Sequence, residues 1–308
     1  MHKRITFWLE RSVDRWLLWA LPLLLCTAAA LWFLFFQNTP ATVATWIWET
    51  RRALDEKEEV LAFAKTNGIN LLYLYIDQSV APEQYRSFIK SARQAGMKVE
   101  ALGGDPYWAL KANRESIRSF IQWVKTYNET AKEEERFHGI HVDIEPHLLP
   151  KWKEEQAAII KQWVENIDYF VKETKKDPNL VTGADLPFWI DELTIPGEAK
   201  RVSDWMMERL DSITIMAYRD FARGPNGILD IVETLFERAE DRQKASVLVA
   251  VNIRKTQEAE HVSFHGKGLA KMEQELAVVQ AELDSYSAFA GYAVHDYASW
   301  RRAASLRQ

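Results

Sequence analysis

Eight short apolar runs recur along the chain, each followed by a stretch of helical periodicity, and this alternation limits the possible folds more than any other feature. The runs are ATWIW (44–48), INLLYLYI (69–76), KVEALGG (98–104), GIHVDIE (139–145), LVTGADLPF (180–188), SITIMAY (212–218), SVLVAVN (246–252) and GYAVHDY (291–297). The intervening segments carry helix punctuation: Gly68 and Gly96 stand where helices should stop, and Pro82 where one should start. Strands that alternate with helices pair in parallel through right-handed crossovers, and eight such units close into a (β/α)8, or TIM, barrel. An open doubly wound sheet is the alternative. No glycine-rich dinucleotide or phosphate turn follows any run, which favours the barrel and provides no seat for a nucleotide cofactor.

Ahead of the first run, residues 16–36 (WLLWALPLLLCTAAALWFLFF) form 21 residues without a charge, long enough at 1.5 Å per residue to cross a hydrocarbon core of ~30 Å. Lys3, Arg4, Arg11 and Arg15 outnumber Glu10 and Asp14 before it, so the positive-inside tendency keeps the tail cytoplasmic and exports the rest. A cleaved signal peptide is the rival, with an apolar region about half this long. The expectation is a single transmembrane helix at the cell membrane: tail 1–15, anchor 16–36, short linker 37–43, and a barrel at 44–308 outside. With 47% hydrophobic residues a large core is available, and a net charge of −5 without a long basic run argues against a nucleic-acid partner. Cys26 is the only cysteine, so neither an internal disulfide nor a cysteine zinc site is possible.

In a TIM barrel, the chemistry gathers where the strands end. Those ends carry Glu49, Asp77, Asp105, Asp143, Glu145, Asp185, Tyr218, Asp220, Asn252 and His295. In the fourth run Ile140, Val142 and Ile144 alternate with His141, Asp143 and Glu145, so one set faces the helices and the other the barrel interior. Two carboxylates at i and i+2 in a partly dry site do not both ionise easily, so one retains a proton near neutrality, as a general acid requires. The bland alternative is a solvated acidic strand end, or a pair satisfied by basic side chains.

The segment HGIHVDIE (138–145) resembles the fourth-strand signature DGxDxDxE of glycoside hydrolase family 18, the chitinase-like enzymes. Gly139, Asp143 and Glu145 match, while His138 and His141 stand where the family has acids. ITIMAYRD (213–220) is similar to the family's MxYD: Met216 and Tyr218 match, Arg219 replaces the acid, and Asp220 follows one place late. Where the family ends its eighth strand on a tryptophan, this chain has His295, with Trp300 beyond.

The resemblance implies that Glu145 protonates the glycosidic oxygen, that Asp143 orients a substrate acetamido group acting as internal nucleophile, and that Tyr218 hydrogen-bonds the same group. The activity implied is retaining hydrolysis of an N-acetylated or amino-sugar polysaccharide, with no cofactor. At 141 the family's acid shares a proton with the next aspartate, and a histidine titrating near neutrality would stand in for it. His141, Trp46, Trp48, Asp105, Asp185, Trp189, Asp220, Asn252 and His295 are the expected substrate-binding residues. For the aromatics a packing role, and for Asp105, Asp185 and Asn252 loop hydrogen bonding, is the competing reading. Two rivals remain: a silent glycan-binding barrel, against which the presence of Glu145 speaks, and a metal-dependent hydrolase using His138, His141, Asp143, Glu145 and His147, with His295 as a further ligand.

Overall fold

In a computed structural model, which describes residues 41–239 and 246–306, the eight runs become eight strands. They are β1 (Thr42–Ile47), β2 (Leu71–Tyr75), β3 (Lys98–Gly103), β4 (Gly139–Asp143), β5 (Val181–Pro187), β6 (Ser212–Met216), β7 (Val247–Asn252) and β8 (Phe289–His295). Each pairs in parallel with the next, and β8 returns to β1, closing the barrel. At the closure Thr42 lies beside Gly291, whose φ is 134° and where a Cβ would fall 2.0 Å from the Thr42 carbonyl oxygen. Only glycine lets the two strands meet there.

The helices are α1 (Thr50–Asp55), α2 (Lys57–Thr66), α3 (Pro82–Gln94), α4 (Arg114–Thr130), α5 (Trp152–Thr174), α6 (Val202–Arg209), α7 (Ile228–Ala239), α8 (Leu269–Leu283) and α9 (Tyr297–Ser305). Pro82 occupies the first turn of α3, and Gly68 and Gly96 follow α2 and α3 with positive φ. On α4 the buried residues Ile117, Phe120, Ile121 and Val124 make one apolar stripe at helical spacing. It joins the helix-facing side chains of the strands, including Ile140, Val142 and Ile144, in one large core. Each such side chain, fully buried, contributes about 1.5–3 kcal/mol. A second, smaller core fills the barrel itself: Ala44, Trp46, Leu71, Tyr73, Leu102, Leu248, Ala250 and Ala293.

Two boundaries differ from expectation. β1 starts at Thr42, inside the expected linker, and β4 stops at Asp143, so that Glu145 precedes a 3-10 turn (Pro146–Leu148) rather than lying on the strand. Pro146 has no N–H to continue the ladder. Tyr297 and Trp300 belong to the helix-facing core, packed edge-on against Phe63, and not to the barrel mouth. The expected anchor at 16–36 lies outside the described residues; among the described residues no helix is long and apolar enough to cross a membrane.

Candidate active site at the carboxyl ends of the strands

His141 is fully buried inside the barrel, stacked on Tyr73 with ring centroids 3.9 Å apart. Its Nε2 lies 2.9 Å from Asp185 and its Nδ1 3.6 Å from Glu100. The ring fits because its register partner on β5 is Gly183, where a Cβ would come within 2.5 Å of Nδ1. Trp46 Nε1 donates to Asp185 Oδ2 at 2.8 Å, and the Tyr73 hydroxyl meets Thr214 Oγ1 at 3.0 Å. Burial by itself would drive the imidazole neutral, but Asp185 and Glu100 outweigh it and raise its pKa to about 10. The histidine at 141 is therefore not a group titrating near neutrality, as the sequence suggests, but a cation held between two carboxylates.

Above it, Asp143 pairs in register with Asp185. Burial, then Asp185 and Glu145, push the Asp143 carboxyl well above the usual range, with His141 opposing, and its buried Oδ1 has no hydrogen-bond partner among the described residues. Glu145 is pushed up to about 7 by burial, Asp185 and Glu258. Its neighbour His147, 3.5 Å away, is held below its usual value by burial and supplies little compensating charge near neutrality. Two carboxyl groups at the mouth thus keep protons at pH values where exposed carboxylates have lost theirs. Tyr218 stands just past β6, its phenol raised by burial and by the fields of Asp185, Asp143 and Glu145, so it remains a neutral donor. It stacks on His295, centroids 5.9 Å apart. Burial lowers the His295 pKa, and its Nε2 accepts from Trp48 Nε1 at 3.2 Å, which leaves the ring hydrogen on Nδ1, facing Asn252 Oδ1 at 3.5 Å.

Asp143, Glu145, Tyr218, Trp48, Asn252 and His295 thus gather at one end of the barrel. Trp48 continues into the partly exposed Tyr75, and Trp189 sits edge-on to His147 at 5.0 Å on the Glu145 side. Trp46, His141 and Asp185, expected to contact substrate, lie sealed beneath this level, at 1%, 0% and 2% exposure. Asp105 caps the 3-10 turn Pro106–Ala109 by accepting from Tyr107 N. Asp220 pairs with Lys267 at 3.0 Å. Arg219, in the place of the family's acid, clamps a loop: it donates to the Asn226 carbonyl, the Asn226 side chain and the Tyr218 carbonyl. His138 lies at the opposite end of β4, in a cavity with Arg93, Lys98 and Arg136, so the histidines of the motif do not converge. No group of three or more His, Cys, Asp or Glu side chains among the described residues is arranged to hold a metal ion.

Sequence reasoning overlooks Glu100, Tyr73, Gly183 and Thr214. Two of these carry a signal: Glu100 is a charge set between apolar residues in the middle of a run, and Gly183 a glycine inside a strand, the mark of a close approach.

No family model and no curated protein matches the chain. Solved structures do. A GH18 chitinase from Pseudoalteromonas aurantia superposes with a TM-score of 0.53 at 10% identity, covering 86% of this chain and 99% of that one. A class V chitinase from Nicotiana tobaccum gives 0.52 at 10% identity, covering 84% and 95%. A mutant GH18 chitinase from Cycas revoluta, in complex with (GlcNAc)4, gives 0.51 at 13% identity, covering 84% and 96%. This chain has the GH18 chitinase fold. At such identities the likeness concerns the path of the backbone, and the chemistry has to be argued from the side chains.

Proposed function

We propose that the chain is a divergent family 18-type glycoside hydrolase that cleaves an N-acetylated or amino-sugar polysaccharide with retention, using the substrate's own acetamido group. The observation that carries this reading is the acid pair at the end of β4: Glu145, with its pKa near 7, stands two residues from a buried, proton-holding Asp143, with Tyr218 in the same field. In the first step the acetamido carbonyl oxygen attacks the anomeric carbon, the bond to the leaving oxygen breaks, and Glu145 gives its proton to that oxygen. Asp143 and the Tyr218 hydroxyl hold the acetamido group in line. Water then adds to the anomeric carbon, returns its proton to Glu145 and releases the acetamido group, so the configuration is retained. Trp48 and Tyr75 offer flat faces for pyranose rings. The same reading places the barrel outside the cell on a membrane anchor at 16–36, supported by the uncharged run and the basic residues ahead of it.

A second reading, a glycan-binding barrel without turnover, is favoured by one feature. His141 stays cationic up to about pH 10 and so does not exchange a proton with Asp143 in the neutral range. Reducing-end release from N-acetylated and partly deacetylated glycans by the full chain, beside Glu145→Gln and an EDTA-treated sample, decides. Activity that survives EDTA and is lost in Glu145→Gln supports hydrolysis. Binding without release in both proteins leaves the silent barrel, and activity that EDTA abolishes points to a metal hydrolase.

A further inference from the structure

Beside the mouth, between the ends of β1, β7 and β8, opens a cleft of about 670 Å³ whose walls carry Trp48, Arg52, Arg254, Lys255, Arg301 and Arg302. Trp48 links it to the site, since the same indole bonds to His295. The cations are of two kinds. Arg52 and Arg301 are tied to Glu56, and Arg52 also to Glu49. The exposed Arg254, Lys255 and Arg302 have no carboxylate partner among the described residues. The acids of the wall are Glu49, Glu56 and Asp296, and Asp296 is already engaged as the cap of α9. Arg301 is also tied to Glu59, so the local positive charge, in a chain of net charge −5, is that of the unpaired Arg254, Lys255 and Arg302.

On the other side of the Trp48–Tyr75 contact lies a cleft of similar size, about 680 Å³, lined by Tyr75, Asp77, Trp108 and Glu115, with no lysine or arginine among its described residues. The two clefts meet across an aromatic ridge: unpaired cations line one side, while on the other the acids Asp77 and Glu115 are already paired, with Arg51 and Arg118, and no described cation lines the wall. A neutral polymer gains nothing from that polarity. A sugar carrying an oxyanion gains guanidinium and ammonium donors at one end only, which also fixes the direction of the chain.

We infer that the β1/β7/β8 cleft binds an oxyanion, carboxylate or phosphate, carried on the glycan, so that the substrate is an acidic amino-sugar polymer and not a neutral one. This rests on the glycan reading above and narrows it. Three exposed ionic contacts of ordinary strength together amount to about tenfold in affinity at low salt.

The test is calorimetric titration of the full chain with three tetramers: N-acetylglucosamine alone, N-acetylglucosamine alternating with glucuronate, and N-acetylglucosamine bearing one 6-phosphate. At least one charged tetramer is expected to bind about tenfold more tightly than the neutral one. That advantage should shrink as salt rises and vanish in Arg254→Glu/Lys255→Glu and in Arg302→Glu, with folding of both variants verified by circular dichroism. Tightening by only the uronate or only the phosphate tetramer identifies the oxyanion. Equal binding of neutral and charged tetramers, or an advantage indifferent to charge reversal, overturns the inference while leaving the glycan reading intact. Failure of every tetramer to bind overturns both.

Discussion

Along β4 and the two residues after it, Ile140, Val142 and Ile144 face the helices and disappear into an apolar core, while His141, Asp143 and Glu145 on the other face form a column of ionisable groups leading to the mouth. The helix-facing shell follows the ordinary rule that buried surface is apolar. The interior breaks it, with Glu100 and Asp185 buried on either side of His141 and Trp46 donating to Asp185. Apolar residues of similar volume would serve stability equally well or better. A charged interior therefore makes sense through its effect on the mouth: Asp185 is an electrostatic neighbour of Asp143, Glu145 and Tyr218 alike and raises all three. The shell makes a barrel, and the interior makes this barrel's acids.

The contrast can be broken most directly at Glu145. Glu145→Gln should lower glycan hydrolysis by about 10²- to 10⁴-fold, the usual contribution of a general acid, measured as reducing-end release; an unchanged rate would remove the acid role. Next in size, His141→Leu strands Asp185 and Glu100 without their cation and should lose about 3–5 kcal/mol in urea unfolding at pH 7. A loss no larger than that of a shell substitution would show that the buried charges do not act as a unit.

The pH dependence sharpens the contrast further. Glu145 has its folded pKa raised from 4.5 to about 7, so its contribution to stability is fully present below pH 4.5 and is lost as pH rises through about 7. Glu145→Gln removes that loss: the variant should match the wild type near pH 4 and exceed it above pH 7 by up to about 3 kcal/mol, read from urea unfolding at the two pH values. His141, raised from 6.5 to about 10, adds stability that is complete below pH 6.5 and fades as pH rises through about 10, a second window that His141→Leu should abolish. Smaller again, Gly183→Ala presses a methyl on the His141 ring and should destabilise by about 1–3 kcal/mol. Ile140→Val, on the shell, should cost about 0.5–1.5 kcal/mol and leave the rate and its pH profile unchanged.

Much of this was legible in the chain. Period-two alternation along residues 139–145 assigns the faces of His141 and Asp143 before any coordinates, because a strand has only two sides, and points Glu145, just past the strand end, the same way. Roles that depend on a partner from another strand were not. Asp105 reads equally as a ligand-binding acid or a loop hydrogen-bonder, and only the fold shows it accepting from Tyr107 N as a turn cap. Trp300 stands in the sequence just beyond the place of the family's eighth-strand tryptophan, yet α9 turns it onto Phe63. His141 reads as a neutral-range titrating group until Glu100 and Asp185, 41 and 44 residues away in the chain, close on either side of it.

The sequence by itself determined the eightfold strand and helix alternation, the face each β4 residue takes, and the acid pair at its end, since these are local consequences of periodicity and spacing. Only the tertiary structure decided which proton each buried group keeps. A pKa depends on burial and on charges a few ångströms away, and barrel closure brings those charges from β3, β4 and β5 into one dry interior.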